Sequence, residues 1–194
     1  MKGVIESFNI LKGIPMVKFE VVTKFEDLNK FNFPYFLKAD VVGHKSEIGA
    51  VVKCNNIEEA KNKLRKMHLK FPKNKIIVQE SFEGIEMIVG IKNDEVFGKL
   101  LMVGLGGIFA EVKRDVSFRA LPVTRKDIVL MIKGLNGLEI FRARGKNYDL
   151  GKFVKLIEKV VSLSDKLDIE ELDLNPVIVG EKDSRVVDAR VKLN

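Results

Sequence analysis

The chain has 194 residues, of which 46% are hydrophobic and 31% charged, and its formal net charge is +7. These values predict an ordinary folded protein that buries a substantial core as one domain or as two small lobes. The single cysteine, Cys54, excludes a disulfide framework and a cysteine-based metal site. No apolar run approaches the roughly 18 residues that span a bilayer, and the first eleven residues lack a signal-peptide core. We therefore expect a cytoplasmic protein with no membrane partner.

The positive charge does not favour nucleic acid binding. Lysines are spread along the chain and fall on a predicted helix face at Lys61, Lys63, Lys66 and Lys70, where a charge run is usually a solvated surface. The sequence has no aromatic-rich RNA-binding strand, zinc knuckle or recognition-helix signature. A basic surface would also attract nucleotides or coenzyme A. We expect no nucleic acid partner.

The first part of the chain alternates irregularly between predicted helices and strands. An apolar stripe at helical spacing predicts a short helix over residues 4–11, and Thr23 with Glu26 predicts a capping box for a second. Asn56 caps a predicted helix that buries Ala60 and Leu64 and ends before residue 72. The predicted strands cover residues 16–22, 35–38 and 49–54.

The second part continues with strands, two helices and a closing hairpin. Thr124 and Asp127 open one predicted helix, and residues 150–167 form the clearest amphipathic helix. The predicted strands cover residues 76–80, 86–91, 97–103, 171–179 and 185–191. This mixed order predicts an α+β fold with largely antiparallel sheets. We expect a lobe boundary near residues 71–75, with a first lobe over residues 1–74 and a second over residues 75–194.

The segment from Gly104 to Arg119 carries the strongest local signal. Three glycines in four residues, among them Gly106 and Gly107, allow a backbone to run close to a ligand. The alternation that follows predicts a strand, with one face formed by Glu111, Lys113, Asp115 and Ser117. This pattern excludes a P-loop and argues against a dinucleotide fold, in which the third glycine opens a helix. It suits the binding of a metal–nucleotide complex.

The closing hairpin places oxygen ligands on one face. If residues 180–183 form its loop, Asn175 lies opposite Asp188 and Asp173 lies opposite Arg190. The opposite, apolar face then carries Leu172, Leu174, Val187, Ala189 and Val191. Magnesium suits such a site because it accepts a few protein oxygens and completes its shell with water and phosphate. The alternative is a surface hairpin with an Asp–Arg pair.

Several motifs along the whole chain resemble the ATP-grasp domain, and in particular the β subunit of ADP-forming acetyl-CoA synthetases, which are relatives of succinyl-CoA synthetase. The glycine segment through Arg119 and the Asp-Leu-Asn-Pro string at residues 173–176 are its most specific parts. The other matching segments are residues 35–38, 44–49, 77–80, 84–86 and 187–190. The resemblance implies two α+β lobes that grip ATP between them.

The resemblance also implies roles for individual residues. Lys38 would neutralise nucleotide phosphates, and Asn175 and Asp188 would bind Mg²⁺. Lys45 is a further nucleotide-binding residue that could steady the phosphorylated form of His44. A hinge made of Gln79, Glu80, Ser81 and Phe82 would read adenine, with Glu80 or Glu86 near the ribose. The further nucleotide-binding residues implied are Gly106, Gly107 and Arg144, and the alternative for Arg144 is an exposed loop arginine. The residues implied near the phosphoryl path are Glu111, Asp115 and Arg119.

In this family phosphate is carried on histidine. The reaction converts acyl-CoA, ADP and phosphate into the free acid, CoA and ATP. The resemblance implies that His44 receives phosphate from a CoA-binding α-type subunit, which carries the first phosphohistidine, and passes it to ADP. The turn between Lys38 and His44 is about two residues shorter than the family's, so His44 is either this nucleophile or a loop residue that only contacts phosphate. The alternative function is a stand-alone nucleotide-binding or regulatory protein.

Overall fold

The computed structural model describes residues 1–41, 48–107, 115–145 and 147–194, apart from the side chains of residues 142–145. Backbone contacts divide the chain into two units. The smaller unit comprises Gly3–Ile5 and Val17–Phe82, and the larger comprises Met1–Lys2, Glu6–Met16 and Glu83–Asn194. Helix α1 (Val4–Ile10) is the short helix expected at the start of the chain.

The smaller unit is an antiparallel sheet covered on one face by helices. Its strands are β1 (Phe19–Val21), β2 (Tyr35–Ala39), β3 (Val51–Cys54) and β4 (Ile76–Glu80), in the order β1-β4-β2-β3. Helix α2 (Ile57–Lys70) and a 3-10 helix (Phe25–Asn29) accompany them. The core is apolar because side chains alternate along each strand, so that Tyr35, Leu37 and Ala39 all point inward.

The caps of these two helices agree only in part with the sequence patterns. The side chain of Asn56 accepts a hydrogen bond of 2.9 Å from the N–H of Glu59, as predicted for α2. The predicted role of Glu26 at the 3-10 helix is wrong, because the carboxylate that caps it belongs to Asp27. Asp27 accepts from the N–H and hydroxyl of Thr23, both at 2.9 Å. These bonds hold the pKa of Asp27 well below its usual range.

The larger unit is built on a six-stranded sheet. Its strands are β5 (Ile85–Asp94), β6 (Gly98–Leu105), β7 (Val116–Ala120), β8 (Ile169–Val179), β9 (Ser184–Val186) and β10 (Ala189–Leu193). They run in the order β10-β8-β5-β6-β7, with β9 paired to β8. All the named strand pairs of the described residues are antiparallel, as predicted. The α+β fold class is therefore confirmed.

Two helices of the larger unit contribute apolar side chains to its core. Helix α3 (Arg125–Lys133) begins with the predicted capping box of Thr124 and Asp127 and buries Ile128, Met131 and Ile132. A 3-10 helix (Leu138–Gly145) follows. Helix α4 (Leu150–Lys166) begins at the Asp149 cap. Its buried face consists of Phe153, Val154, Leu156, Ile157, Val160 and Ser164.

The division between the units falls at residues 82–83 rather than at the expected boundary between residues 74 and 75. The reason is that β4 pairs with β1 and β2, with Gln79 opposite Phe19 and Glu80 opposite Tyr35. The turn after α2 therefore reverses the chain within the smaller unit. Among the described residues, none of the helices combines the length and apolarity that a bilayer crossing needs.

Candidate functional site

The strand pairing of the C-terminal hairpin is the one predicted from its loop. Val179 lies opposite Ser184, and Asp173 lies opposite Arg190. Between these pairs, the N–H of Asn175 donates a hydrogen bond of 3.2 Å to the carbonyl of Asp188. Asn175 and Asp188 are therefore directly opposed, and directly opposed residues share a sheet face.

This face turns its polar groups away from the core. Asn175 is exposed and Asp173, Asp188 and Arg190 are half-buried, while Leu172, Leu174, Ala189 and Val191 are buried. One expectation is wrong: Val187 is half-buried, and Val186 takes the core position instead. Alternation along the strand shifts by one residue between Val186 and Ala189, where the chain bends at Val187.

We call this surface the polar face of the larger sheet, defined by Gly90, Asp173, Asn175, Asp188 and Arg190. Gly90 lies opposite Asp173 on β5, so Asp173 has a side-chain neighbour across the ladder only at Arg190. Sequence reasoning overlooked Gly90. A glycine inside a strand is the available signal, since it often marks a site where another group approaches closely.

The donor atoms of the polar face fit magnesium. Asn175 offers an amide oxygen and Asp188 a carboxylate, and hard oxygen donors in small number are what Mg²⁺ takes from proteins. One Asp188 oxygen, Oδ1, also accepts a 3.0 Å bond from the N–H of Ala189, which orients the carboxylate. Among the described residues no cluster of three His, Cys, Asp or Glu side chains could hold a metal. A metal here would thus rely on phosphate and water for its remaining ligands.

Lys38 is a buried cation in the smaller unit. It lies on β2 between Ile77 and Val51 and is only 4% exposed. Because side chains alternate, Lys38 occupies the face of the sheet opposite the apolar core. Phe36 and Gln79 share that face, directly across from each other, and Gln79 is fully buried.

The expected hinge residues span the end of β4, with Gln79 and Glu80 inside the strand and Ser81 and Phe82 after it. Glu80 is held by the main chain of Lys18, whose N–H donates to Glu80 Oε1 at 2.8 Å and whose carbonyl accepts from the Glu80 N–H at 3.0 Å. Ser81 and Phe82 are half-buried. The carboxylate of Glu80 is therefore used in fixing the start of β1 to β4.

Gly106 and Gly107 in the glycine segment approach Glu86. The N–H of Gly106 donates to the Glu86 carbonyl at 2.8 Å, and a Cβ on Gly106 would lie 3.0 Å from the Glu86 carbonyl carbon. Gly107 has φ +61°, and a Cβ there would lie 2.8 Å from Glu86 Oε2. Within the chain these two glycines approach the exposed Glu86, and their approach to a ligand stays a prediction.

Asp115 fixes the loop that follows α3. Its Oδ1 accepts from the N–H and the side-chain amide of Asn136 at 3.0 and 3.2 Å, and its Oδ2 accepts from the Gly137 N–H at 2.8 Å. The side chain is buried. These contacts give Asp115 a structural role in the larger unit.

Arg119 lies on the side of the larger sheet opposite the polar face. It pairs across the ladder with the buried Leu101, which belongs to the core face. Its guanidinium donates to Asp127 at the start of α3. The hydroxyl and N–H of Thr124, together with this guanidinium, hold the pKa of Asp127 below its usual range. The structure therefore does not bring Arg119 together with Asn175 and Asp188.

Four of the expected residues cannot be placed in full. His44, Lys45 and Glu111 lie outside the described residues. The backbone of Arg144 belongs to the 3-10 helix Leu138–Gly145, and its side chain is outside the description.

The fold and these motifs can be compared with known proteins. The ATP-grasp domain family matches residues 4–193, so the chain belongs to the ATP-grasp family. It is 36% identical to the acetate–CoA ligase [ADP-forming] I subunit beta of Pyrococcus furiosus, over 97% of this chain and 90% of that subunit. It is also 37% identical to acetate–CoA ligase [ADP-forming] II of Archaeoglobus fulgidus, over 84% of this chain. There it spans only 25% of the relative's length.

A solved structure has the same fold. It is that of acetyl-coenzyme A synthetase 1 of Ca. Korarchaeum cryptofilum, described as dinucleotide forming, in complex with coenzyme A and Ca-AMPCP. The TM-score is 0.88 at 31% identity, over 100% of this chain and 93% of that one. A second structure of that protein contains coenzyme A and Mg-AMPPCP, with a phosphohistidine segment pointing towards the nucleotide-binding site (TM-score 0.85, 32% identity, 100% and 93% covered). These likenesses confirm the expected resemblance to β subunits of ADP-forming acetyl-CoA synthetases.

Proposed function

We propose that this chain is the nucleotide-binding subunit of an ADP-forming acyl-CoA ligase, with acetate as the expected acid, and that it passes a phosphoryl group between phosphohistidine and ADP. The observation that carries the proposal is the direct opposition of Asn175 and Asp188 on the polar face. Its relatives support the choice of reaction, because they are named as ADP-forming acetate–CoA ligases and one is a β subunit.

Asn175 and Asp188 are the residues that would hold magnesium. When bound, the ion neutralises charge on the transferred phosphoryl group and on the nucleotide phosphates. The chain's own contribution is orientation: the β8–β10 ladder fixes the two backbones, and the Ala189 N–H fixes one carboxylate oxygen. Magnesium accompanies the nucleotide analogue in a structure of the Korarchaeum relative.

Lys38 would supply a positive charge to the nucleotide phosphates. Its burial keeps water away from the ammonium group, and charge pairs are stronger in such surroundings than in bulk water. The hinge from Gln79 to Phe82 would bind the adenine through its backbone, and Glu86, Gly106 and Gly107 would border the nucleotide. The residues placed by the resemblance alone in this site are Lys45, Glu111 and Arg144.

His44 would carry the phosphoryl group on this chain. Phosphate arrives from the phosphohistidine of a CoA-binding partner subunit; its P–N bond breaks as a new P–N bond forms to His44. That bond breaks in turn as a terminal oxygen of the ADP β-phosphate bonds to phosphorus, which gives ATP and neutral histidine.

The cytoplasmic location of the protein stays a prediction.

Labelled phosphate tests this step. With the partner subunit and labelled phosphate donor, an acid-labile, base-stable phosphoenzyme should form on this chain, and His44→Asn should abolish it. Excess Mg–ADP should raise the melting temperature of both proteins alike, since binding to the folded state stabilises by mass action. The matched control is His68→Asn, which changes the chain's other histidine on the exposed side of α2.

The outcomes separate the proposal from its alternative. Equal labelling of wild type and His44→Asn contradicts the phosphohistidine role. A melting shift with nucleotide but no labelling under any condition would instead favour the stand-alone nucleotide-binding protein, for which the short turn before His44 is the supporting feature. Absence of any melting shift with millimolar nucleotide would contradict both functions.

A further inference from the structure

Gly90 lies inside β5, the strand at the centre of the larger sheet. Glycine weakens a strand, because it loses the most backbone entropy on folding and has no side chain to pack. Its neighbours Val89 and Ile91 are of the types that strands favour. A glycine at this position therefore needs a reason, either in the fold or in a ligand.

The fold explains the other two glycines within the described strands. Gly98 has φ +71°, a left-handed conformation that residues with a side chain rarely adopt. A Cβ on Gly104 would lie 2.9 Å from the backbone oxygen of Asp115 and 2.5 Å from a methyl carbon of Val116. Both positions thus exclude a side chain for reasons internal to the chain.

The fold does not explain Gly90 in either way. Its φ is not positive, and the nearest backbone atom of a neighbouring strand, the Leu172 oxygen, would be 3.4 Å from a Cβ, which is an ordinary contact. The nearest atom of all would be Met102 Cε, at 3.1 Å. This atom is the end of a flexible side chain and has to move by only a few tenths of an ångström. The sheet itself therefore accepts a side chain at residue 90.

The strand pairing defines the position of Gly90 on the polar face. Gly90 lies opposite Asp173 on β8. Asn175 lies two residues further along β8, on the side toward Glu86, and Asp188 is opposed to it. Along the face the groups therefore come in a fixed order: first Glu86, then Asn175 with Asp188, and then Gly90.

This order matches the order of groups in a nucleotide. In the proposed function Glu86 borders the nucleotide, and Asn175 and Asp188 hold the ion that joins the β- and γ-phosphates. The group on the far side of the ion is then the terminal phosphoryl. Two residues of a strand span about 7 Å, so a side chain at residue 90 would project next to that group.

We propose that the terminal phosphoryl group of ATP lies over Gly90, and that the missing side chain at this position gives the group its space. The inference rests on the proposed function, which places a nucleotide on this face. Met102 is half-buried beside the same position, and its unbranched thioether side chain adapts to the ligand. ADP lacks the terminal phosphoryl group and does not use the space, so Gly90 determines affinity for the triphosphate alone.

Gly90→Val tests the proposal, with Ala120→Val as the matched control. Ala120 is exposed on β7 and lies opposite Leu100, so the control places the same β-branched side chain on the same face of the sheet, two strands away. Calorimetry on the chain alone measures the binding of Mg–ADP and of Mg–AMPPCP, an ATP analogue that cannot transfer its phosphoryl group. The melting temperature without nucleotide reports the stability of each variant.

We expect Gly90→Val to bind Mg–AMPPCP at least ~10-fold more weakly than wild type and Mg–ADP within about twofold, because only the triphosphate meets the new side chain. Gly90→Ala should show the same selectivity to a smaller degree, which covers the case that the valine variant does not fold. Ala120→Val should bind both nucleotides like wild type. Both variants at residue 90 should melt within about 5 °C of wild type, since the strand accepts their side chains.

Three results would overturn the proposal. One is equal weakening of both nucleotides, and another is unchanged affinity for both. The third is recovery of Mg–AMPPCP binding when Met102→Ala is added to Gly90→Val, because the glycine would then serve only to seat Met102. Failure of the wild-type chain to bind either nucleotide would count against the proposed function instead.

Discussion

In the two sheets of this protein, the faces opposite the apolar cores differ in how far their polar side chains are exposed. On the smaller sheet, the face opposite the core carries Lys38 and Gln79, and both are almost completely buried. On the larger sheet, the polar face carries Asn175 exposed and Asp188 half-buried. A buried ammonium group is a fixed charge held by its strand, whereas accessible oxygens can exchange water for an incoming ion. The smaller sheet thus holds a fixed positive charge on this face, and the larger sheet presents oxygen atoms that remain accessible.

The largest expected effect is that of a substitution at Asp188, on the accessible polar face of the larger sheet. Asp188→Asn should lower magnesium-dependent phosphoryl transfer by about 100-fold or more, because a metal supplies several kcal/mol of charge stabilisation in the transition state. Nucleotide affinity measured without metal should change little. Steady-state turnover across a magnesium titration, with metal-free binding measured by calorimetry, makes the distinction.

Asp173→Asn is the matched control on the same face. An Asp–Arg pair on a half-exposed strand contributes on the order of 1 kcal/mol or less, so its loss should leave turnover within about fivefold. If Asp173→Asn is as damaging as Asp188→Asn, the metal ligands have been assigned to the wrong pair.

The next largest effect is expected at Lys38, the buried cation of the smaller sheet. Lys38→Ala should weaken nucleotide binding by roughly 10- to 100-fold, since hydrogen bonds to charged groups contribute about 1.5–3 kcal/mol. The Mg–ADP melting shift measures it. Lys53→Ala is the control, because Lys53 shares that face, opposite Phe36, but is exposed. Equal losses of nucleotide affinity in the two variants would mean that the buried Lys38 contributes no more to binding than the exposed Lys53.

The smallest expected effect concerns Gly107, which lies beside Glu86. Gly107→Ala should cost roughly 1–2 kcal/mol of unfolding free energy, because the left-handed φ of +61° penalises any Cβ. Gly98→Ala is the control for backbone strain alone, since Gly98 has φ +71° and its Cβ would meet nothing within 4 Å. Denaturant unfolding measures both. A Gly107→Ala protein that keeps its stability but loses nucleotide binding would show that this glycine serves the ligand rather than the fold.

The sequence could predict the closing hairpin well because one short loop determines its pairing. Once residues 180–183 are the loop, Asp173 must face Arg190, and the structure has this pair. The sequence could not predict that Val186 replaces Val187 in the core. That shift depends on the bend at Val187, which no alternation of residue types marks.

The candidate site was harder to predict because residue type does not reveal competing partners. Arg119 and Asp115 look like phosphate-handling residues in a charged strand, but Asp127 and the Asn136–Gly137 backbone bind them. Both partners lie in later elements of the chain. The lobe boundary failed for a related reason: a Pro-containing turn marks a reversal of the chain, and only strand pairing shows to which sheet the next strand belongs.

The contacts around Asp115 join three elements of the larger unit. The Leu105 N–H at the end of β6 donates to the Asp115 carbonyl at 3.1 Å, and the Gly106 N–H donates to the Glu86 carbonyl at 2.8 Å. The Asp115 carboxylate accepts from the N–H groups of Asn136 and Gly137 in the loop after α3. A change at Asp115 would therefore disturb that loop and the start of β7 together.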